Sequence, residues 1–223
     1  MSHPSPTRLR IDFVSDIVCP WCVIGLQALL QALARAADVV TADIHFRPFE
    51  LDPAMPPEGQ DVADHIAQKY GATPEQSAAS RALIRDSAAA LGFTINTGPG
   101  SRIWNTFDCH RLLHWAARAG RQPQLKMALF AAYFTDQLNP GDPEVLVAAA
   151  VTAGLDPHAA RQVITSGAYA EDVRRDADYW RNQGVHAVPT VVINGKYGIT
   201  GGQPVAAFEK ALRSIAAEAS APG

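Results

Sequence analysis

Nowhere in the 223 residues is there an apolar run approaching the roughly 20 needed to span a bilayer. The opening MSHPSPTRLR has neither the apolar stretch nor the small-residue cleavage site of an export signal. These two absences predict a cytoplasmic protein with no membrane partner. A basic block is missing too: 19 Lys and Arg stand against 22 Asp and Glu, for a formal net charge of -3. Nucleic-acid binding needs clustered cations to displace counterions, so the composition argues against that partner. Cysteine is scarce, at three in the whole chain. That is too few for a disulfide scaffold, and a reducing compartment would strip a structural bridge in any case. What the chain does have is apolar content: 48% hydrophobic against 18% charged, enough for a packed core and little disorder. Its length suits one ordinary domain, or a small core domain carrying a large insertion.

Two of the three cysteines stand together in SDIVCPWCVIG. They fall between an alternating, then wholly apolar, run at residues 8–15 and a helical apolar pattern at 21–37. A second strand is expected at 42–49, limited near its end by Pro48. The first fifty residues therefore read β-α-β, with the cysteine pair at the first strand-to-helix turn.

A loop of turn formers, LDPAMPPEG, then opens a long helical block. Its helices are expected at 62–70, at 74–91 behind a Thr73 cap with Pro74 and Gln76, at 105–119 and at 124–138. Two more start at Asp142-Pro143 and Asp156-Pro157, and a last one covers 169–183. Strands return at 190–193 and 196–200 around Asn194-Gly195, the strongest short hairpin signal, and an amphipathic helix closes the chain at 204–218. The class is α/β. Without its middle block the element order, β-α-β then β-β-α, is that of a thioredoxin fold with a large inserted all-helical domain. The expected division is a discontinuous thioredoxin-fold domain, 8–52 and 185–218, and an inserted helical domain, 53–184.

Placed as the helix N-cap, Cys19 would point its sulfur at the free N–H groups of Trp21 and Cys22, with Pro20 at the first helical position. The thiolate is the nucleophile, and helix N-termini favour its charge. Cys22, one turn further in, would resolve the mixed disulfide that Cys19 forms. Zinc needs about four ligands. The remaining cysteine, Cys109, has only His110 beside it, and adjacent helical residues point about 100° apart, so no metal site is expected. Cys109 reads as a small buried helix residue. His110 and His114 share a helix face at i and i+4, and Trp104, Asn105 and His110 are candidates to face the site. Asp16 and Glu50, near strand ends, are candidate proton acceptors for Cys22. Val188-Pro189-Thr190 lies where a strand begins, a position that tolerates proline.

The segments FVSDIVCPWCVIG, RPFELDPAMPPEG, KYG, NTFDCHRLLHWA and VPTVVINGKYGITGGQP, in that order, resemble the DsbA family of thioredoxin-fold proteins, FrnE type, over residues 8–218. The resemblance implies a thiol–disulfide oxidoreductase, with disulfide isomerisation in its repertoire. By position, Cys19 is the nucleophile, Cys22 the resolving cysteine and Pro189 a cis-proline. Pro20, Trp21, Val188 and Pro189 contact the substrate, a protein or small-molecule thiol or disulfide. The implied redox group is a Cys19–Cys22 disulfide with no bound cofactor, and a homodimer is among the assemblies it allows. Ala187, Val191 and Cys109 depart from the family's usual Gly, Phe and Ala. A sister branch holds 2-hydroxychromene-2-carboxylate isomerase and kappa-class glutathione transferase, with serine at the first cysteine position. It supplies the alternative: a glutathione-dependent transferase or isomerase of a small aromatic or polyketide-like substrate, with glutathione as co-substrate. A non-catalytic thiol sensor or binder is the third reading.

Overall fold

The computed structural model describes residues 5–220, so part of the opening segment read for an export signal lies outside the described residues. The chain begins β1 (Thr7–Ser15), α1 (Pro20–Arg35), β2 (Val40–Pro48). A two-residue strand β3 (Gln60–Asp61) precedes α2 (Val62–Tyr70) and α3 (Pro74–Ala90), and its mate β4 (Arg102–Ile103) precedes α4 (Phe107–Arg118). Then come α5 (Gln122–Phe130), a π-helical turn (Ala131–Thr135), α6 (Pro143–Thr152), α7 (Pro157–Ser166) and α8 (Ala170–Asn182). The chain closes with β5 (Thr190–Ile193), β6 (Tyr197–Thr200) and α9 (Val205–Ser220).

Four strands from the two ends of the chain form one sheet, in the order β2-β1-β5-β6. β1 runs parallel to β2 and antiparallel to β5, so it is an inner strand. That position explains why its second half is apolar on both faces: Phe13 and Val14 point opposite ways and both are fully buried. The α1 helix lies against α9, with Leu26, Leu29, Phe208 and Leu212 in one core. Helices α4, α5 and α8 pack against β2. Among the described residues no helix is long and apolar enough to cross a membrane.

A charged residue on β1 is buried within this framework. Asp12 on β1 is 3% exposed and accepts hydrogen bonds from Arg10 Nε at 3.0 Å and Arg47 Nε at 2.7 Å. Arg47 also reaches Asp176 on α8 at 3.4 Å, so the pair ties the helical block to the sheet. Burial alone would raise the Asp12 carboxyl; the two guanidiniums outweigh it and hold the group below its usual range. Asp12→Ala is expected to cost about 2 kcal/mol at neutral pH. That is below the roughly 3–5 kcal/mol for breaking a fully buried pair, because Arg47 keeps some water. A depressed carboxyl pKa adds stability above the unfolded value and loses it as pH falls. The gap between wild type and variant should therefore close below about pH 4. Equal urea midpoints for the two proteins at pH 7 would remove Asp12 as a strut.

The middle block departs from the expected all-helical reading in two places. Strands β3 and β4 pair antiparallel, held by the Arg102 guanidinium on the Glu58 and Gly59 carbonyls at 2.8 and 3.0 Å. Gly59 has φ +65°, and a Cβ there would stand 2.4 Å from the Ile103 carbonyl oxygen, so the turn demands glycine. Two-residue strands carry no alternation for a sequence to display. The expected 124–138 helix is also broken, changing to the π-helical turn after Phe130. The Asn96 N–H takes the Phe134 carbonyl at 2.8 Å and its side-chain amide takes that of Thr135 at 2.7 Å. These distant donors satisfy carbonyls that a longer helix would have used. Tyr133 and Phe134 of this turn line the same cleft as Cys19.

Candidate active site

After β1 the chain turns through Asp16 into α1. Asp16 holds that turn: one carboxylate oxygen accepts the Ile17 N–H and the other the Leu51 N–H, each at 2.7 Å. His110 Nε2 on α4 stands 3.5 Å from the first oxygen and 3.1 Å from the Phe49 carbonyl. Burial pushes the Asp16 carboxyl up, but the bonds from His110, Leu51 and Thr106 prevail and keep it low. Through these bonds Asp16 clasps β1, the loop after β2, and α4 together. For Glu50, burial prevails and raises the carboxyl. It lines another cavity, with Arg174 and Arg181.

Cys19 is the N-cap of α1 and Pro20 lies in the first turn. The sulfur does not take the expected bonds from the Trp21 and Cys22 N–H groups. It makes no cap hydrogen bond, and its thiol donates instead to the Val188 carbonyl at 3.6 Å. A protonated sulfur needs an acceptor, and the carbonyl before Pro189 supplies one. The Cys22 N–H meanwhile bonds the Cys19 carbonyl at 3.0 Å. Cys19 and Cys22 stand as free thiols. Cys19 is 5% exposed and Cys22 fully buried behind it. Burial first, then the bond to Cys19, push the Cys22 thiol well above its ordinary value.

The Val188–Pro189 peptide is cis. Two bonds clamp the loop: Thr190 Oγ1 donates to the Ala187 carbonyl at 2.7 Å, and the Gly201 N–H to the Pro189 carbonyl at 2.8 Å. Gly25 of α1 lets the proline ring approach, since a Cβ there would stand 3.0 Å from Pro189 Cγ. A Cβ on Gly202 would stand 3.2 Å from Trp21. Isolated glycine in a helix costs about 1 kcal/mol against alanine, so Gly25 was a readable packing signal that sequence reasoning passed over.

Cys19, Pro20, Trp21 and Val188 line one cleft of about 510 Å³; Cys22 and Pro189 lie outside its lining. The opposite wall comes from α2, α3 and the π-helical turn, with Ile66, Ile84 and Tyr133 among its apolar members. Lys69 and Arg81 are its cations, and no carboxylate lines it. Trp104, Asn105 and His110 do not line this cleft. Asn105 instead caps the start of α4, accepting the Phe107 N–H at 2.9 Å. Cys109 donates to the Pro140 carbonyl at 3.1 Å, and burial pushes its thiol up, as suits a packing residue. His114 stacks near Tyr169 at 5.1 Å. Among the described residues no group of three or more His, Cys, Asp or Glu is placed to hold a metal ion.

Residues 10–213 match the DSBA-like thioredoxin domain. The chain belongs to this family. A probable DsbA oxidoreductase from Streptomyces coelicolor superposes with a TM-score of 0.89 at 36% identity, over 96% of this chain and 92% of its own. The Bacillus subtilis protein YwbO is 29% identical over 206 residues, 92% of this chain and 96% of its own length. A 2-hydroxychromene-2-carboxylate isomerase is similar in fold, with a TM-score of 0.68 at 16% identity, over 95% of this chain and all of its own. Within this DSBA-like chain the cleft wall on α2 and α3 escaped sequence reasoning. Those helices are polar enough to read as solvated faces. Lys126 on α5 was missed as well: it is fully buried, and its Nζ has no hydrogen-bond partner.

Proposed function

We propose that this protein is a cytoplasmic thiol–disulfide oxidoreductase, able to isomerise disulfides, in which Cys19 attacks and Cys22 resolves. One observation carries the reading. The Cys19 sulfur sits on the floor of a large cleft, beside the carbonyl of a cis-proline loop, with a second thiol one helical turn behind it. In the reductive direction the Cys19 thiolate attacks a substrate disulfide, releasing one thiolate and forming a mixed disulfide. Cys22 then attacks the Cys19 sulfur. The Cys19–Cys22 bond forms, the mixed disulfide breaks, and the second substrate thiol leaves with the electron pair. The oxidative direction is the reverse. Pro20, Trp21 and the Val188–Pro189 backbone would hold a protein or small-molecule substrate, and the mainly apolar wall facing them suits an apolar segment.

A titration through glutathione redox buffers, read by Trp21 fluorescence, is the test. We expect one reversible two-electron transition. A midpoint near about -270 mV would mark a reductant and one near about -120 mV an oxidant. Absence of any transition, with both thiols free throughout, would overturn the reading.

A second reading is favoured by the charge of the cleft. Lys69 and Arg81 with no opposing carboxylate suit a small acidic thiol such as glutathione. In that case the protein is a glutathione-dependent transferase or isomerase of a small aromatic substrate. Its activity would require glutathione and survive loss of Cys22.

A further inference from the structure

The helical block and β2 enclose a second cavity, of about 300 Å³, apart from the Cys19 cleft. One stripe of α4 lines it: His110, Leu113, His114, Ala117 and Arg118, the three-and-four spacing of a single helix face. The other walls include Lys126 on α5, His45, Phe46 and Arg47 on β2, and Val173 and Asp176 on α8. The charge of this lining is out of balance. Asp176 is its single carboxylate and is already taken: Arg47 donates to it at 3.4 Å and the Trp180 indole at 3.1 Å. Arg47 in turn is held by Asp12 at 2.7 Å. Two further cations have no counter-charge. Arg118 makes no ion pair among the described residues and lies 5.9 Å from the Tyr169 ring centre. Lys126 is fully buried, yet its Nζ has no hydrogen-bond partner. It sits 4.8 Å from the ring of Phe130 and 5.9 Å from that of Phe46, which lines the cavity. Aromatic faces return less than the burial of an ammonium costs. The neighbours Leu125, Leu129 and Phe130 are all fully buried, so an apolar residue would pack better at 126. Burial draws the ammonium down to about 8, which leaves it mainly charged at neutral pH. An anion in the cavity would supply what both cations lack.

We propose that this cavity is a binding site for a small organic anion, whose phosphate or carboxylate group is held by Lys126 and Arg118 and whose apolar body packs on Phe46, Leu113 and Val173. Arginine's planar fork and a lysine ammonium both suit such oxyanions. The volume lies at the low end of ligand pockets, so it admits a small molecule and excludes a polypeptide segment. Because no lining residue is shared with the Cys19 cleft, this site is independent of the oxidoreductase reading.

The experiment titrates the full chain with phenyl phosphate, with phenylacetate and with benzyl alcohol as the neutral control. The buffer is free of phosphate and its ionic strength is fixed, since salt screens exposed charges. Isothermal calorimetry reads affinity and stoichiometry, and thermal unfolding reads the stabilisation that a ligand of the native state brings. We expect at least one of the two anions to bind saturably, one per chain, in the millimolar range or tighter, and to raise the unfolding temperature. Benzyl alcohol should do neither. The tighter of the two anions tells whether the site takes phosphate or carboxylate. Lys126→Met and Arg118→Gln should each weaken that binding at least about tenfold, the scale of one hydrogen bond to a charged group. Arg118 is exposed, so its variant should fold and decides the matter if Lys126→Met does not. Binding of neither anion, or equal binding of benzyl alcohol, would overturn the proposal. So would affinity unchanged in either variant, which would place the anion elsewhere, for example beside Lys69 and Arg81 in the Cys19 cleft.

Discussion

Cys19→Ser is expected to reduce disulfide turnover to background, a loss on the order of 10³-fold or more. Removing an enzyme's nucleophile costs up to about 10⁶. A serine hydroxyl is not ionised near neutral pH and cannot form the mixed disulfide on which the cycle depends. The fold should survive, because the hydroxyl is smaller than the thiol and can still donate to the Val188 carbonyl that Cys19 contacts at 3.6 Å. Reduction of insulin by dithiothreitol reads the activity, and circular dichroism with urea unfolding reads the fold. The same variant should remove the redox transition seen by Trp21. Full activity in a well-folded Cys19→Ser protein would place the chemistry elsewhere. None of the other cleft-lining residues is a cysteine, so such a result would mean that no thiol of the cleft carries it.

Elements whose signals are local were legible in the sequence. Thr73 makes the capping box with Gln76. Asp142 and Asp156 cap α6 and α7, each with a first-turn proline. Asn194 and Gly195 both take positive φ, 52° and 66°, as the turn between β5 and β6 requires. The β1 run was legible as a strand from its alternation, and its closing apolar stretch fits the inner position it takes in the sheet. The cysteine pair was legible for the same reason, lying at a strand end with a proline at the helix start.

What escaped depends on partners far away in the chain. The helix stops at the π-helical turn, where Asn96 takes the Phe134 and Thr135 carbonyls, and nothing within 124–138 announces that. The direction of the Cys19 sulfur is decided by a carbonyl 169 positions away. Asp16 and Glu50 looked alike in sequence, two acids near strand ends. The bonds from His110 and Leu51 lower the first, and burial raises the second. Lys126 was hidden by the ordinary expectation that a lysine beside an apolar stripe extends to water. Here α4, α5 and β2 close over it.

Cys22→Ala separates the two readings of this site most sharply. Behind Cys19 the side chain is fully buried, so truncating it leaves a small void. The stability cost should be about 1 kcal/mol, near the low end of large-to-small core changes. The kinetic consequence is far larger. The first attack still occurs, but the mixed disulfide has no internal thiol to break it. Release then waits on an external thiol, and turnover is expected to fall on the order of 10²–10³-fold. The variant should accumulate one covalent substrate adduct per chain, seen by intact-protein mass spectrometry and reversed by dithiothreitol. A glutathione-dependent transferase or isomerase makes the opposite demand. Its thiol arrives with the substrate, so the variant should keep full activity when glutathione is supplied and hold no adduct. A protein that lost turnover without trapping substrate would satisfy neither reading, because Cys19 would then have failed to attack. The trapped species therefore reports the order of events, Cys19 first and Cys22 second, that the burial of the two sulfurs supports.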